Sequence, residues 1–238
     1  MKRIGILAGV GSLAAVGIVA VARRWRRRMP AGLRDRPDVP VDGVTRASPR
    51  AAGAVATEIA PDVYLLGPWG RTQTNAYLVR DGASWILVDT GWKSDGPRLR
   101  EAARSLLEPG LAPSAILLTH AHPDHGGSAR ELAEAWCCPV YAHPAELALA
   151  TGDFAAMARY AGPLDRWLIL PLMRAIGRRR REAALAGSSL AGIARPLRRG
   201  GVIPGVDGWE WIHTPGHTPG HVAYVRGRDR VVLSGDGS

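Results

Sequence analysis

Short apolar runs separated by polar turns characterise the chain from residue 57 onward. The runs are rich in Val, Ile, Leu, Tyr and Trp and have the length of β-strands. Between two of them, the stretch RDGAS contains the Asp-Gly pair that favours a hairpin turn. The pattern predicts strands at 62–67, 74–80, 84–91, 115–119, 139–142, 208–213, 221–226 and 230–236.

Amphipathic segments lie between these strands. In GPRLREAARSLL, at 96–107, apolar residues recur at helical spacing, and Pro97 falls in the first turn, where proline is tolerated. The segment ARELAEAW follows Ser128, and Ser128 with Glu131 has the sequence pattern of a capping box. Strands that alternate with helices predict an α/β (α+β layered) domain, which we place at residues 57–238.

Residues 144–200 break this alternation because their composition is helical. Their apolar centre, 167–173, is too short to span a bilayer, and Pro171 is expected to break or kink a helix there. Four arginines follow at 178–181. One interpretation is a helical insertion packed over the domain with a solvated arginine face. The other is an interfacial helix that docks on anionic lipid or admits a lipophilic substrate.

The first 28 residues combine a hydrophobic run with a basic flank. Residues 4–22 carry no charge and approach the length of about 20 residues that spans a bilayer, and an arginine cluster follows at 23–28. A cleaved signal peptide, a single-span anchor and a tail lying on anionic lipid are all compatible with this pattern. The arginines oppose translocation, which favours a membrane anchor within residues 4–28 and a cytoplasmic domain over an exported one. Residues 29–56 are predicted to be a flexible linker.

The net charge of +10 is unevenly distributed. The basic excess lies in residues 1–43 and 151–201, whereas the segments with the histidine motifs are mildly acidic. This distribution argues against a protein-wide nucleic-acid surface. We expect a small-molecule substrate rather than a nucleic acid. The adjacent Cys137 and Cys138 form neither a CxxC pair nor a disulfide framework and are interpreted as structural thiols.

The stretch THAHPDHGG places four side chains that bind metals within six positions, 120 to 125. They are His120, His122, Asp124 and His125, and they follow an apolar strand. Imidazole and carboxylate are ligands that zinc and iron accept. Because the neighbours Asp124 and His125 tend to point apart, the geometry favours two metals over one.

Two later segments add candidate ligands. In IHTPGHTPGH, proline and glycine on both sides of His217 predict a rigid turn, and SGD places Asp236 just past a strand. A ligand far along the chain ties two halves of a fold together around a metal. Within the first of these segments, we interpret His221 as a pocket-lining residue and His213, like His143, as a structural or rim residue.

Together these motifs resemble the metallo-β-lactamase superfamily of metal-dependent hydrolases. The matching elements are VDTG with Asp89, THAHPDHGG, TPGHTPGH and SGD, and the resemblance runs from about residue 59 to the end, apart from the insertion. It implies an αβ/βα four-layer sandwich with the metals at one edge between two sheets. Family members carry a further histidine beyond GD, so we expect the last part of the fold to be missing and the sequence to be a fragment.

The resemblance also implies a role for each candidate. His120, His122 and His217 would hold one metal, Asp124 and His125 a second, and Asp236 would bridge the pair, with Asp89 supporting the site from behind. Two zinc ions are expected in the complete protein, with iron or manganese as alternatives. The implied reaction is attack of a metal-bound hydroxide on an ester, thioester or lactone of a small or lipophilic molecule, with Asp124 orienting the nucleophile and transferring its proton.

Three alternatives to this hydrolase stay open. They are a metal-dependent nuclease or phosphodiesterase, an iron persulfide dioxygenase, and an inactive, truncated protein tethered to a membrane. Metal content and substrate panels separate them.

Overall fold

The computed structural model describes residues 56–69, 74–161, 165–198 and 203–236, all within a unit formed by residues 47–237. The predicted anchor and nearly all of the predicted linker lie outside the described residues. Within the described ranges, no helix is both long enough and apolar enough to cross a bilayer.

A seven-stranded sheet forms the centre of this unit, with its strands in sequence order. The first four strands pair antiparallel, and the fourth to seventh pair in parallel. The strands are β1 (Ala56–Ala60), β2 (Val63–Trp69), β3 (Thr74–Asp81), β4 (Ser84–Val88), β5 (Ala115–Leu117), β6 (Val140–Ala142) and β7 (Ala194–Pro196). A second, antiparallel sheet has the order β10-β9-β8 and consists of β8 (Trp209–His213), β9 (Val222–Arg226) and β10 (Val231–Leu233).

Helices occupy two parts of the sequence. The first group contains α1 (Gly96–Leu106), the short α2 (Pro123–Gly126) and α3 (Ala129–Trp136). The second group lies between β6 and β7 and contains a 3-10 turn (Pro144–Glu146), α4 (Leu147–Ala150), α5 (Phe154–Tyr160), a π-helical turn (Asp165–Ile169), α6 (Leu170–Ala175) and α7 (Arg178–Ala186).

Alternation along the central strands creates two cores. In β4, Trp85 and Leu87 pack on the side of α1 and α3, where Leu99 and Leu132 are fully buried. The intervening Ile86 packs on the opposite side with residues of the second sheet. Because successive side chains of a strand point to opposite faces, a strand buried on both sides is apolar throughout. The described residues thus build three layers of the expected sandwich: helices, the large sheet and the small sheet.

The α/β fold class is confirmed, and each predicted strand is present. Several strands end earlier than their apolar runs, at Val88, Leu117 and Leu233, and the residues beyond them form loops. The capping box was wrong. Ser128 precedes α3, but its hydroxyl donates to the carbonyl of Trp92, and Glu131 pairs with Arg100 at 3.0 Å.

The segment predicted as a helical insertion is helical between residues 144 and 186, but it also contains the strand β7. Pro171 lies in the first turn of α6, where the π-helical turn gives way to α-helix. Ala150 and Leu190 belong to the core on the side of the large sheet that faces α1 and α3. On the outside, Trp167 is 81% exposed, and the arginines 178–180 are exposed as well.

Candidate metal centre

The candidate ligands lie in the segments that follow β5, β8 and β10, at one edge of the two sheets. His120 and His122 follow β5, His217 lies in the loop between β8 and β9, and Asp236 follows β10. The backbone amide of Val222 donates to the carbonyl of Thr119 at 2.9 Å, which joins the edges of the two sheets next to His120. Residues separated by more than a hundred positions therefore meet at one place.

One group of ligand atoms comes from His120, His122 and His217. One ring nitrogen from each lies within 4.8 Å of the others. Nε2 of His217 is 2.9 Å from Nδ1 of His122. These are the three residues that the family resemblance assigned to the first metal, and their arrangement suits a single cation between three imidazoles.

A second group consists of His120, His125 and Asp236, again with ligand atoms within 4.8 Å of one another. Nε2 of His125 lies 3.2 Å from one oxygen of Asp236, and Nε2 of His217 lies 3.5 Å from the other. Asp236 therefore contacts both groups. His120 belongs to both as well, so two cations here would be neighbours.

The buried ring of His120 fits a metal ligand. Its side chain is fully buried, and its Nε2 has no hydrogen-bond partner among the described residues. Burial, together with the neighbouring His125 and His122, holds the pKa of His120 far below its usual value, and burial lowers that of His122 too. A neutral imidazole with an unpaired, buried nitrogen is the form that binds a metal.

Asp89 contacts one ligand and the residue next to another, and it does not belong to either group of ligand atoms. Its carboxylate accepts hydrogen bonds from the amide and the hydroxyl of Thr119, at 2.8 and 2.7 Å, and lies 2.8 Å from Nδ1 of His125. Burial lowers the pKa of His125, but Asp89 and Asp236 outweigh burial and raise this pKa to about 10. Asp89 has a left-handed backbone (φ 59°), a conformation that aspartate tolerates better than most residues.

Asp124 lies outside both groups of ligand atoms. Its carboxylate accepts a hydrogen bond of 3.4 Å from the hydroxyl of Thr74 at the start of β3. Its role as a ligand of a second metal therefore stays a prediction.

His221 lies beside the two groups without joining either. It is buried, its Nδ1 is 2.7 Å from the hydroxyl of Thr214, and its Nε2 has no hydrogen-bond partner among the described residues. Burial lowers its pKa to about 4. The rings of His143 and His213 stack on each other at 4.2 Å and belong to neither group.

Sequence reasoning missed Glu146, which is fully buried in the 3-10 turn after β6. One carboxylate oxygen accepts from the amide of Ala121, between His120 and His122, at 2.8 Å. The other accepts from the amide of Gly220, in the loop of His217, at 2.7 Å. One side chain thus holds both histidine loops. Its only signal in the sequence was a single acid in HPAELALA.

Glycine is required at two points of close approach. The amide of Gly127 donates to the carbonyl of Gly91 at 3.0 Å, and a Cβ at position 127 would meet backbone atoms of Trp92, Lys93 and Pro123. A Cβ at Gly220 would lie 2.8 Å from Cγ of Glu146. The GG and PG dipeptides of the motifs therefore allow the backbones to pack around the site.

Comparison with known proteins decides the family. The sequence model of the metallo-beta-lactamase superfamily matches residues 69–238, more than half of the chain. The chain belongs to the metallo-beta-lactamase superfamily. Membership supports a metal-dependent hydrolase as the general class, and it accounts for the histidine-rich candidate site.

Relatives within the superfamily include two proteins of Bacillus subtilis. The chain is 30% identical to the probable metallo-hydrolase YflN over 167 residues, which cover 68% of this chain and 60% of YflN. It is 33% identical to the probable metallo-hydrolase YqgX over 178 residues, which cover 71% of this chain and 68% of YqgX. The match thus spans about 60% of the length of YflN.

A solved structure agrees in fold. BJP-1, a subclass B3 metallo-beta-lactamase of Bradyrhizobium japonicum, superposes with a TM-score of 0.52 at 18% identity, over 72% of this chain and 56% of that one. At this identity the likeness concerns the fold alone, which agrees with the predicted sandwich.

Proposed function

We propose that this protein is a hydrolase that uses two zinc ions to cleave an ester, thioester or lactone of a small or lipophilic molecule. One observation carries the proposal: the two groups of ligand atoms lie side by side. His120 belongs to both groups, and Asp236 contacts a histidine of each. The names of YflN and YqgX, both probable metallo-hydrolases, support the same class of reaction.

The donor set favours zinc. Imidazole nitrogens from His120, His122 and His217 would hold one ion, and His125 and Asp236 would contribute to the second, with Asp124 as a further ligand. Nitrogen with a minority of carboxylate oxygen is a common environment of catalytic zinc. When bound, two such metals lower the pKa of a water to near neutrality and polarise the scissile carbonyl.

The chain's own residues would orient these parts. Asp89 fixes the ring of His125 through Nδ1, so that Nε2 faces the site. Asp124, held by the hydroxyl of Thr74, would accept a proton from the attacking water and deliver it to the leaving group. Glu146 would keep the two histidine loops at a constant separation.

Activity after metal loading tests this function. The metal-free protein should be inactive and should regain hydrolysis of esters, thioesters or lactones on addition of two equivalents of zinc. His122→Ala should abolish that activity. Hydrolysis restricted to phosphodiesters, or oxygen consumption with a persulfide and iron, would contradict the proposal.

We also propose that residues 4–28 attach the protein to a membrane, with the hydrolase domain on the cytoplasmic side. The uncharged run and the arginines that follow it support this proposal. Cell fractionation of the full chain and of a chain lacking residues 1–28 tests it. The full chain should sediment with membranes and the shortened chain should not, whereas equal distribution of the two would contradict the attachment.

A further inference from the structure

A cavity of about 180 Å³ lies between the candidate metal centre and the segment of residues 149–190. His122, Pro123 and Gly126 line it from the metal side. Residues between 149 and 190 contribute most of the remaining wall, and the four most relevant here are Ala150, Met157, Ala161 and Leu170.

The wall of this cavity is apolar. No Asp, Glu, Lys or Arg occurs among the described residues that line it. Leu118, Ala150, Leu170 and Leu190 are buried there. The hydroxyl of Ser189, one of the few polar groups, already donates to the carbonyl of Thr151 at 2.8 Å. A charged group such as a phosphate would lose its hydration in this cavity without meeting a lysine or arginine among the described lining residues, whereas burial of a hydrocarbon is favourable.

His122 belongs both to this wall and to the first group of ligand atoms. A molecule whose hydrocarbon end fills the cavity therefore has its other end beside the metal centre. An apolar cavity of about 150 Å³ holds a benzene-sized molecule of six carbons. The 180 Å³ cavity is of similar size and accommodates a chain of about six carbons.

We propose that this cavity binds the unbranched acyl chain of an ester or thioester substrate, about six carbons long, and presents its carbonyl to the metal centre. The inference rests on the proposed function and names its substrate class. In the reaction, water adds to the carbonyl carbon, the C–O or C–S bond to the leaving group breaks, and the leaving group takes up a proton, which yields the carboxylic acid and an alcohol or thiol.

A chain-length series measures the cavity. The substrates are p-nitrophenyl esters from acetate to decanoate, given to the zinc-loaded full chain. Full burial of one methylene should raise kcat/KM about fourfold. Hexanoate has four more methylenes than acetate, so even partial burial of each should make hexanoate at least about tenfold better than acetate. Beyond about six to eight carbons the increase should stop.

Variants of α5 and the residue after it locate the effect. Ala161→Phe fills the cavity and should lower kcat/KM for hexanoate about tenfold while acetate stays within about twofold. Met157→Ala enlarges the cavity and should move the optimum to longer chains. Ala155→Phe is the matched control, because Ala155 is exposed in the same helix and lies outside the cavity wall.

Calorimetric titration with hexanoate and acetate, the acids that the reaction would release, separates the two proposals. Hexanoate should bind more tightly than acetate, and Ala161→Phe should remove the difference. If no ester is cleaved but this pattern is observed, the proposed function is overturned and the cavity assignment stands. If esters are cleaved without dependence on chain length, and neither Ala161→Phe nor Met157→Ala changes that, the cavity assignment is overturned and the hydrolase stands.

Discussion

Glu146 offers a sharp test of how the two histidine loops are held together. It accepts one hydrogen bond from each loop, at the amides of Ala121 and Gly220, and has no exposure to solvent. In Glu146→Gln the side chain keeps its shape, but one oxygen becomes an NH2 group. One of the two buried amides then faces a donor and has no acceptor.

The size of the effect follows from these contacts. A hydrogen bond to a charged group contributes about 1.5–3 kcal/mol, and an unsatisfied buried donor costs a similar amount. We therefore expect the free energy of unfolding of the metal-free protein to fall by about 2–3 kcal/mol. The loops would also lose their fixed separation, and changes in residues that orient metal ligands typically weaken metal binding about 10- to 100-fold.

Urea denaturation and zinc competition against a chelator measure the two effects. Glu101→Gln is the matched control, because Glu101 is exposed and pairs with Arg104 only at 3.7 Å, so its stability should change by less than about 0.5 kcal/mol. If Glu146→Gln matched this control in both stability and zinc affinity, the role assigned to Glu146 would be refuted.

Two further predictions concern the loops and the ligands. Gly127→Ala should destabilise the protein by about 1–3 kcal/mol because the Cβ meets backbone. Gly216→Ala is the control and should not destabilise the protein, because a Cβ at this position points into open space. Equal thermal unfolding temperatures of the two variants would contradict the packing argument. Since the pKa of His125 is raised to about 10, this ring carries a proton at pH 7 and must lose it to bind metal. The affinity of the second zinc should rise about tenfold per pH unit between pH 7 and 9. The first should change little, because the pKa values of His120 and His122 are lowered. Calorimetry at three pH values measures both, and a second affinity independent of pH would be inconsistent with a protonated His125.

Structural features that depend on neighbouring residues in the sequence were predictable. The central strands β4 and β5 of the large sheet carry apolar runs because both of their faces are buried. The candidate ligands were visible because histidines and an aspartate are crowded within one loop. The Gly and Pro residues on both sides of His217 indicated the second loop because these residues favour turns.

Features that depend on distant partners were not predictable. The strand β7 has only three residues, including Arg195 and Pro196, and is a strand because it pairs with β6 at the sheet edge. Similarly, β1 has a mixed, partly exposed sequence and is defined by its pairing with β2. Glu146 escaped notice because its partners are backbone amides 25 and 74 positions away. No side-chain pattern records such contacts.

The central claim, two neighbouring metals held by the two groups of ligand atoms, is tested most directly by elemental analysis of the purified full chain and two variants. We predict two zinc ions per chain in the native sequence, loss of at least the first ion in His120→Ala, and retention of both in His213→Ala, whose side chain is exposed and outside the ligand groups. Absence of metal from the native chain, or full metal content in His120→Ala, would contradict the claim.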